Sequence, residues 1–423
     1  MGRDWDVVVI GDGLAGRVAA LAAAERGAAV RLVAEAEDTS RHGSGLIDVL
    51  GYPPGGRGPE PSPLEAIASL PSSHPYARLG AETVRSALSF LYRHLDAPYV
   101  GLDDGGNALV PGPLGNPLVA FGYPCSVTSG DLSRADDLLL VEVEPLGGFD
   151  ASMAARGLRA ADPPATVDAA SIDLSEIIEA GADRQWIATR FDREVTTEPV
   201  DRRLAPAFRE ALASVADGHA RIGIPAVLGV DHWPEIHRRL DSLLEPDVFE
   251  VPTGPPSVLG LRLDRALDEA VASSPVYRTR GARAVSYRDH GAHIEAVGIE
   301  RNGGVEWVAG REFVLATGGL VGGGLQASAD RIAEPLFGCP VDEPGPGPWT
   351  ASEPFDAQPF ARSGLTVDEA LRPIADGSPR WSNLRAAGDV LGHFDPVQEG
   401  SGAGVAVATG YAAGRAAAGE VET

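Results

Sequence analysis

The segment from Val7 to Glu35 constrains this chain more than any other. Val7-Val8-Val9-Ile10 is a short, wholly apolar run, the pattern of a strand buried on both faces of a parallel sheet. Gly11-Asp12-Gly13-Leu14-Ala15-Gly16 follows at once. Residues 14–26 then read as an Ala-rich helix stopped by Gly27. Val30 to Val33 is a second strand, running out to Glu35. Strand, glycine turn, helix and strand make one βαβ unit. Gly11 permits the tight turn, Gly13 lets a pyrophosphate approach the backbone, and Gly16 lets the helix pack on the strand. The phosphates then lie at the positive end of the helix. Glu35, 19 residues after Gly16, is placed to accept hydrogen bonds from a ribose. The pattern predicts dinucleotide binding; the plainer alternative is an ordinary βα turn.

Two later segments turn the dinucleotide into a flavin. Residues 275–315 alternate apolar and polar in three short runs, from Tyr277, from His293 to Ile299 and from Val305 to Val308, with Asn302-Gly303-Gly304 as a hairpin turn. A buried strand, Phe313-Val314-Leu315-Ala316, then runs into Thr317-Gly318-Gly319. Near the C-terminus the strand Leu384 to Ala387 runs into Gly388-Asp389, where Asp389 is placed to hold a ribityl chain or phosphate. Gly400-Ser401-Gly402-Ala403-Gly404 opens a last helix over about 402–418. Its first N–H groups are expected to stabilise negative charge on a reduced isoalloxazine. Each piece alone reads as a turn, but the three in this order predict a two-segment flavoprotein. The expected fold is α/β: a Rossmann-like flavin domain built from both chain ends (1–60 and 256–423) and interrupted by a middle α+β lobe (61–255). Helices are expected over 81–95, 150–160, 202–217 and 258–273, and Gly/Pro-rich loops over 51–63 and 339–348. Cofactor contacts are expected at Gly11, Gly13, Leu14, Ala15, Gly16, Glu35, Thr317, Gly318, Gly319, Gly388, Asp389, Gly400, Ser401, Gly402 and Ala403.

Composition closes off several functions. Sixty acids face 35 bases, a net charge of −25, and every base is Arg, since the chain has no Lys. Such a balance opposes nucleic-acid binding, which needs a basic footprint. It fits a carboxylate-rich surface adapted to high salt better than a docking face for a basic partner. The two cysteines, Cys125 and Cys339, imply no disulfide framework and a reducing cytoplasm, and cannot supply a four-Cys iron–sulfur cluster. No apolar run reaches the roughly 18 residues of a membrane span, and the first strand starts too early for a signal peptide. His232 and His237 straddle Pro234 and read as a surface pair; no metal is expected.

Three further stretches carry a family resemblance: Ser44-Gly45-Leu46-Ile47-Asp48-Val49-Leu50; Leu70-Pro71 with His74-Pro75-Tyr76 and Leu79-Gly80; and Asn383 to Gly388 with Leu391-Gly392, Asp395-Pro396 and Glu399-Gly400. Nearly the whole chain resembles the B subunit of the anaerobic glycerol-3-phosphate dehydrogenase complex, with Asp395-Pro396 as the most specific part. The resemblance implies a complex that oxidises sn-glycerol 3-phosphate to dihydroxyacetone phosphate and passes electrons to quinone. It implies a catalytic FAD-containing A subunit, a B subunit that is a flavoprotein associated with FMN, and an iron–sulfur C subunit that anchors the complex to the inner face of the cell membrane. It also adds Ser44 and Gly45 to the expected cofactor contacts. The glycine loop and Glu35 suit the ADP half of FAD, so motif and resemblance point to different flavins.

A dehydrogenase of this kind needs a base for the substrate hydroxyl and cations for its phosphate, while the flavin takes the hydride. His42, just past the second strand, reads as a base, a covalent flavin link or a plain loop residue. His393, between Asp389 and Asp395, is the better candidate for a group near the redox centre. Arg41 and Arg385 are candidate phosphate partners, but 35 arginines make that signal unspecific. No catalytic residue is assigned. Besides a redox-active subunit, the sequence admits a non-redox scaffold within the same complex, or a stand-alone flavin dehydrogenase or reductase.

Overall fold

A computed structural model describes residues 5–35, 39–56, 58–101, 106–196, 203–216, 218–345 and 347–421. The chain divides into two compact units. The first comprises Met1–Thr39, Asp48–Asp96 and Leu267–Thr423; the second comprises Ser40–Ile47 and Ala97–Ala266. Residues 61–96, read from the sequence as middle lobe, thus belong with both chain ends, and residues 256–266 belong with the middle.

In the first unit the initial βαβ forms as its pattern requires: β1 (Trp5–Ile10), α1 (Leu14–Glu25) and β2 (Val30–Ala34). Helix α2 (Ala81–His94) buries Val84, Ala87, Leu88, Phe90 and Leu91 along one stripe. Strands β3 (Tyr277–Arg280), β4 (Arg283–His290), β5 (His293–Arg301), β6 (Gly304–Leu315) and β7 (Leu384–Ala386) follow, and α3 (Gly402–Val421) closes the unit. The sheet runs β3-β2-β1-β6-β5-β4, with β7 also beside β6. Strands β3, β2, β1, β6 and β7 pair in parallel, whereas β4, β5 and the first half of β6 form an antiparallel meander.

Strand β6 settles a point the alternation left ambiguous. Val305–Val308 and Phe313–Leu315 are not two strands but the ends of one 12-residue strand. Its first half pairs with β5 through Val297↔Val308, and its second half lies between β1 and β7 through Val314↔Val9 and Val314↔Arg385. Burial follows the change of company: Gly304 to Trp307 are exposed, and Glu312 to Leu315 are buried. Tyr277–Arg280 likewise leaves the meander and pairs with β2.

Helices α1 and α3 pack almost backbone to backbone. A Cβ on Gly410 would fall 2.4 Å from the Ala15 carbonyl oxygen, and one on Gly414 would fall 2.2 Å from that of Ala19. Small residues on both faces permit this approach, which explains why α3 is rich in Ala and Gly and carries no long apolar stripe.

The second unit has a four-stranded, wholly parallel sheet of strands Leu138–Glu144, Val167–Asp173, Arg221–Pro225 and Asp247–Val251. Helices Ala151–Ala160, Arg184–Thr196, Leu204–Ala213 and Trp233–Asp241 belong to the same unit. The first and third correspond to the expected 150–160 and 202–217, of which residues 202 and 217 lie outside the described residues. The unit also carries two short antiparallel pairs, Tyr99–Val100 with Tyr123–Pro124 and Ala108–Pro111 with Pro117–Ala120. Its core is held by Glu250, fully buried, which accepts hydrogen bonds from the Val227 and Leu228 amides and pairs with Arg262 at 2.5 and 2.9 Å. Arg262, the backbone amides and a hydroxyl hold the Glu250 carboxyl below its usual range despite burial. The helix Val258–Ala272 matches the expected 258–273.

Candidate functional site

The three glycine-rich segments meet at the carboxyl ends of β1, β6 and β7, where open α/β sheets bind ligands. Gly11 has φ +109° and packs on the end of β6: a Cβ there would lie 2.1 Å from the Ala316 oxygen. Gly16 is closed the same way, 1.9 Å from the Gly11 oxygen. Gly388, at φ +76°, would drive a Cβ to 2.8 Å from the Ala15 methyl, and Gly319 would drive one to 2.8 Å from the Asp389 oxygen. The Thr409 hydroxyl of α3 accepts the Gly388 amide at 2.9 Å. Gly11, Gly13, Leu14, Ala15, Gly16, Thr317, Gly318, Gly319, Gly388 and Asp389 thus form one neighbourhood in the first unit.

This neighbourhood fits an anionic, flat, hydroxyl-bearing cofactor. Gly13 N-caps α1 with no side-chain hydrogen bond and no acid in the first turn, so the helix start is left to a ligand. The Thr317 hydroxyl is buried and has no hydrogen-bond partner among the described residues. Asp389 is exposed at the end of β7, and the protein around its carboxyl raises it above the usual range by desolvation.

Asp12, between the first two glycines, turns inward instead. It pairs with Arg17 at 3.3 Å and with Arg278, and Arg17 and Arg278 both reach Asp268, at 3.2 and 2.7 Å. Burial raises Asp12, while Arg17 and Arg278 pull it down. Sequence patterning holds no hint of this network because its members lie some 250 residues apart. Glu35 is exposed at the end of β2, with Arg283 at 3.7 Å.

At the start of α3 the structure corrects one expectation. The first helix N–H groups are not open to a ring: the Asp48 carboxylate takes the Ala403 amide at 2.7 Å and also that of Gly402, and the Asp48 carbonyl accepts the Gly404 amide at 2.8 Å. The Ser401 amide bonds to the Pro396 carbonyl at 3.2 Å, while the fully buried Ser401 hydroxyl has no partner. Glu399, just before Gly400, accepts from Arg362 at 2.9 Å and from the Asp395 amide at 3.1 Å. His74 Nδ1 accepts the Tyr76 amide, so its Nε2–H donates to Glu399 at 3.0 Å. The His74-Pro75-Tyr76 and Asp395 to Gly400 motifs, far apart in sequence, are therefore partners.

The remaining candidates lie elsewhere. Ser44 and Gly45 belong to the second unit. There the Ser44 hydroxyl accepts the Leu46 amide at 3.2 Å, Gly45 packs on Leu259, and the Gly45 carbonyl accepts from Tyr99 at 3.0 Å. His42 is exposed in that unit, and Arg41 has Asp264 at 3.7 Å. Arg385 is fully buried on Glu312 within the sheet, which removes it as a phosphate partner. His237 is bound to the Val248 carbonyl at 2.8 Å. His393, at φ +70°, lines a cleft of about 560 Å³ with Asp342, Arg362 and Ser363. Its Nδ1 meets Asp342 at 3.3 Å, its Nε2 meets the Thr366 hydroxyl at 2.7 Å, and burial lowers its pKa.

Known proteins agree with this geometry. Residues 6–405 match the model of the FAD binding domain family, and the class defined by fold and site is that of flavin-dependent oxidoreductases. A Halobacterium salinarum protein, the probable B subunit of an anaerobic glycerol-3-phosphate dehydrogenase, is 41% identical over 99% of this chain and 99% of its own. The B subunit of the anaerobic glycerol-3-phosphate dehydrogenase of Pectobacterium atrosepticum is 32% identical over 95% of this chain and 96% of its own; that of Vibrio cholerae is 30% identical over 96% and 95%. The chain belongs to this family of B subunits. Among the described residues no helix is long and apolar enough to cross a membrane.

Proposed function

We propose that this chain is the flavin-bearing B subunit of a respiratory complex that oxidises sn-glycerol 3-phosphate to dihydroxyacetone phosphate and delivers electrons to quinone. The observation that carries the reading is the convergence of the Gly11–Gly16, Thr317–Gly319 and Gly388-Asp389 segments on an uncapped helix start. The relatives' names supply the substrate and the assembly. A bound flavin accepts a hydride equivalent and passes electrons on singly. The α1 amides would hold its phosphates, the Thr317 hydroxyl and Asp389 would serve its polar chain, and Gly318 and Gly319 would leave room for a flat ring.

The cofactor proposed is FAD. The open α1 start and the exposed Glu35 carboxylate at the end of β2 match an ADP half, which FMN lacks. Ser44 and Gly45 serve the fold of the second unit in this reading. Its partners are the catalytic flavoprotein of the complex, which is the A subunit, and the iron–sulfur protein, or C subunit, that holds the assembly at the inner face of the membrane. With two cysteines, this chain cannot itself hold a four-Cys cluster, so its electrons leave through another protein.

The test is purification in high salt, a visible spectrum, and the mass of the released cofactor. A flavin spectrum with a released mass of FAD is expected; FMN overturns the dinucleotide assignment, and no flavin overturns the redox role. Dye reduction by glycerol 3-phosphate is expected only when the catalytic flavoprotein partner is added. Turnover by this chain alone favours a stand-alone dehydrogenase. A Gly13→Val chain that still supports full turnover of the complex favours a scaffold.

A further inference from the structure

Around the start of α3 stand two carboxylates, of which the proposed function uses only Asp389, and two buried hydroxyls that have no hydrogen-bond partner among the described residues. Asp48 sits across the helix N-terminus on the Gly402 and Ala403 amides. Asp389, at the end of β7, is close enough for its charge to disfavour ionisation of Asp48. From the helix Pro75–Leu79, Tyr76 brings a fully buried hydroxyl that has no partner and lies against Gly404, where a Cβ would fall 2.1 Å from it. The Ser401 hydroxyl is equally buried and unpartnered. Beyond Tyr76 lies Glu399, already held by Arg362 and His74. The negative charge of Asp48 is held by the helix amides, with no cation among the groups that lower its pKa. The positive end of α3 is therefore already occupied by a carboxylate, and new negative charge beside it would meet Asp48 and Asp389 rather than free N–H groups.

We propose that Asp48 is a redox-linked proton acceptor: when the bound flavin is reduced, Asp48 takes up a proton from solvent and so removes its own negative charge from the helix start. The inference rests on the reading that the flavin lies beside this helix start. A secondary alcohol would give its hydride, two electrons and one proton, to the flavin, leaving one new negative charge there and losing its hydroxyl proton to solvent, while one proton passes from solvent to an Asp48 oxygen, so that carboxylate becomes carboxylic acid. Asp48 then acts on the flavin through the helix start and the local charge, as a positioning residue. It is poised for this, since burial, reinforced by the charge of Asp389 and opposed by the Ala403 and Gly402 amides, lifts its carboxyl to about 6. Tyr76 stays protonated throughout, because burial with Asp48 and Glu399 beside it pushes its hydroxyl well above the usual value.

The experiment is a spectroelectrochemical titration of the flavin-loaded chain between about pH 5 and 9, in wild type and in Asp48→Asn. Wild type is expected to take up one more proton per two electrons than the variant above pH 6, seen as a steeper fall of midpoint potential with pH. Identical slopes in two flavin-loaded proteins overturn the proposal. Should the variant lose its flavin, the infrared difference spectrum of wild type decides instead. A protonated-carboxyl band that appears on reduction supports the proposal, and no such band overturns it. A wild-type chain that never binds flavin defeats the flavin reading, which is a different outcome from a loaded chain without the extra proton.

Discussion

Asp48 shows how much one buried carboxyl changes what a helix end can do. Its raised pKa makes its charged form costly in the folded state. For an acid shifted upward, the associated stability is complete below the unfolded value and is lost as pH rises through the folded one. The window is therefore from about 4 to about 6. Asp48→Asn, which keeps an oxygen for the Ala403 amide, is expected to be more stable than wild type by about 1–3 kcal/mol at pH 8. The gap should close as pH falls toward 4, and a series of thermal melts reads it directly. At this scale the sequence was legible where a residue acts through its own backbone. Gly11 and Gly16 were recognisable because a tight turn and a close helix approach leave room for nothing else. Asp48 and the Asp12–Arg17–Arg278 network were not, because their meaning lies in partners brought by folding: Ala403 for the first, residues near 270 for the second. Arg385 misled for the same reason, since an arginine beside a phosphate-binding motif and one buried on Glu312 look alike in sequence.

Between elements, the crossing of α1 and α3 is the joint on which the site depends. Their separation is set by Gly410 and Gly414 lying on Ala15 and Ala19. Gly414→Leu is expected to destabilise the protein by about 2–3 kcal/mol and to lower flavin occupancy, because the added side chain has no room without moving one helix. Ala416→Leu, on the half-buried face of the same helix, is expected to change stability by less than about 0.5 kcal/mol. Chemical denaturation with a flavin absorbance readout checks both. The elements that sequence patterning recovered best are the strongly periodic or wholly apolar ones: β1, β2, α2, β5, α3. Strand β6 was read as two because its halves obey different rules, alternating where it pairs with β5 and continuous where it lies between β1 and β7. The second unit's parallel sheet escaped notice because short strands such as Arg221–Pro225 carry a proline and a glycine and no clear periodicity.

The whole molecule carries a net charge of −25 with arginine as its only strong base. Self-repulsion of that size weakens compact states when it is unscreened. The melting temperature is therefore expected to climb as KCl is raised from about 0.1 M, where the Debye length is roughly 10 Å, to about 2 M, where it is below 3 Å. A flat profile in a salt series of melts would show that local ion pairs already balance the repulsion. What the sequence could not supply at this scale was the partition of residues 61–96 and 256–266, since unit boundaries depend on which surfaces close together and not on where composition changes. The pairing of β1 with β6 has a further consequence, in time. Val9 leaves the ribosome some three hundred residues before its neighbour Val314. Until then one edge of β1 stays without its partner, so the nascent chain must be kept from pairing with its neighbours, and the flavin can be gathered only once β6 and β7 have both emerged.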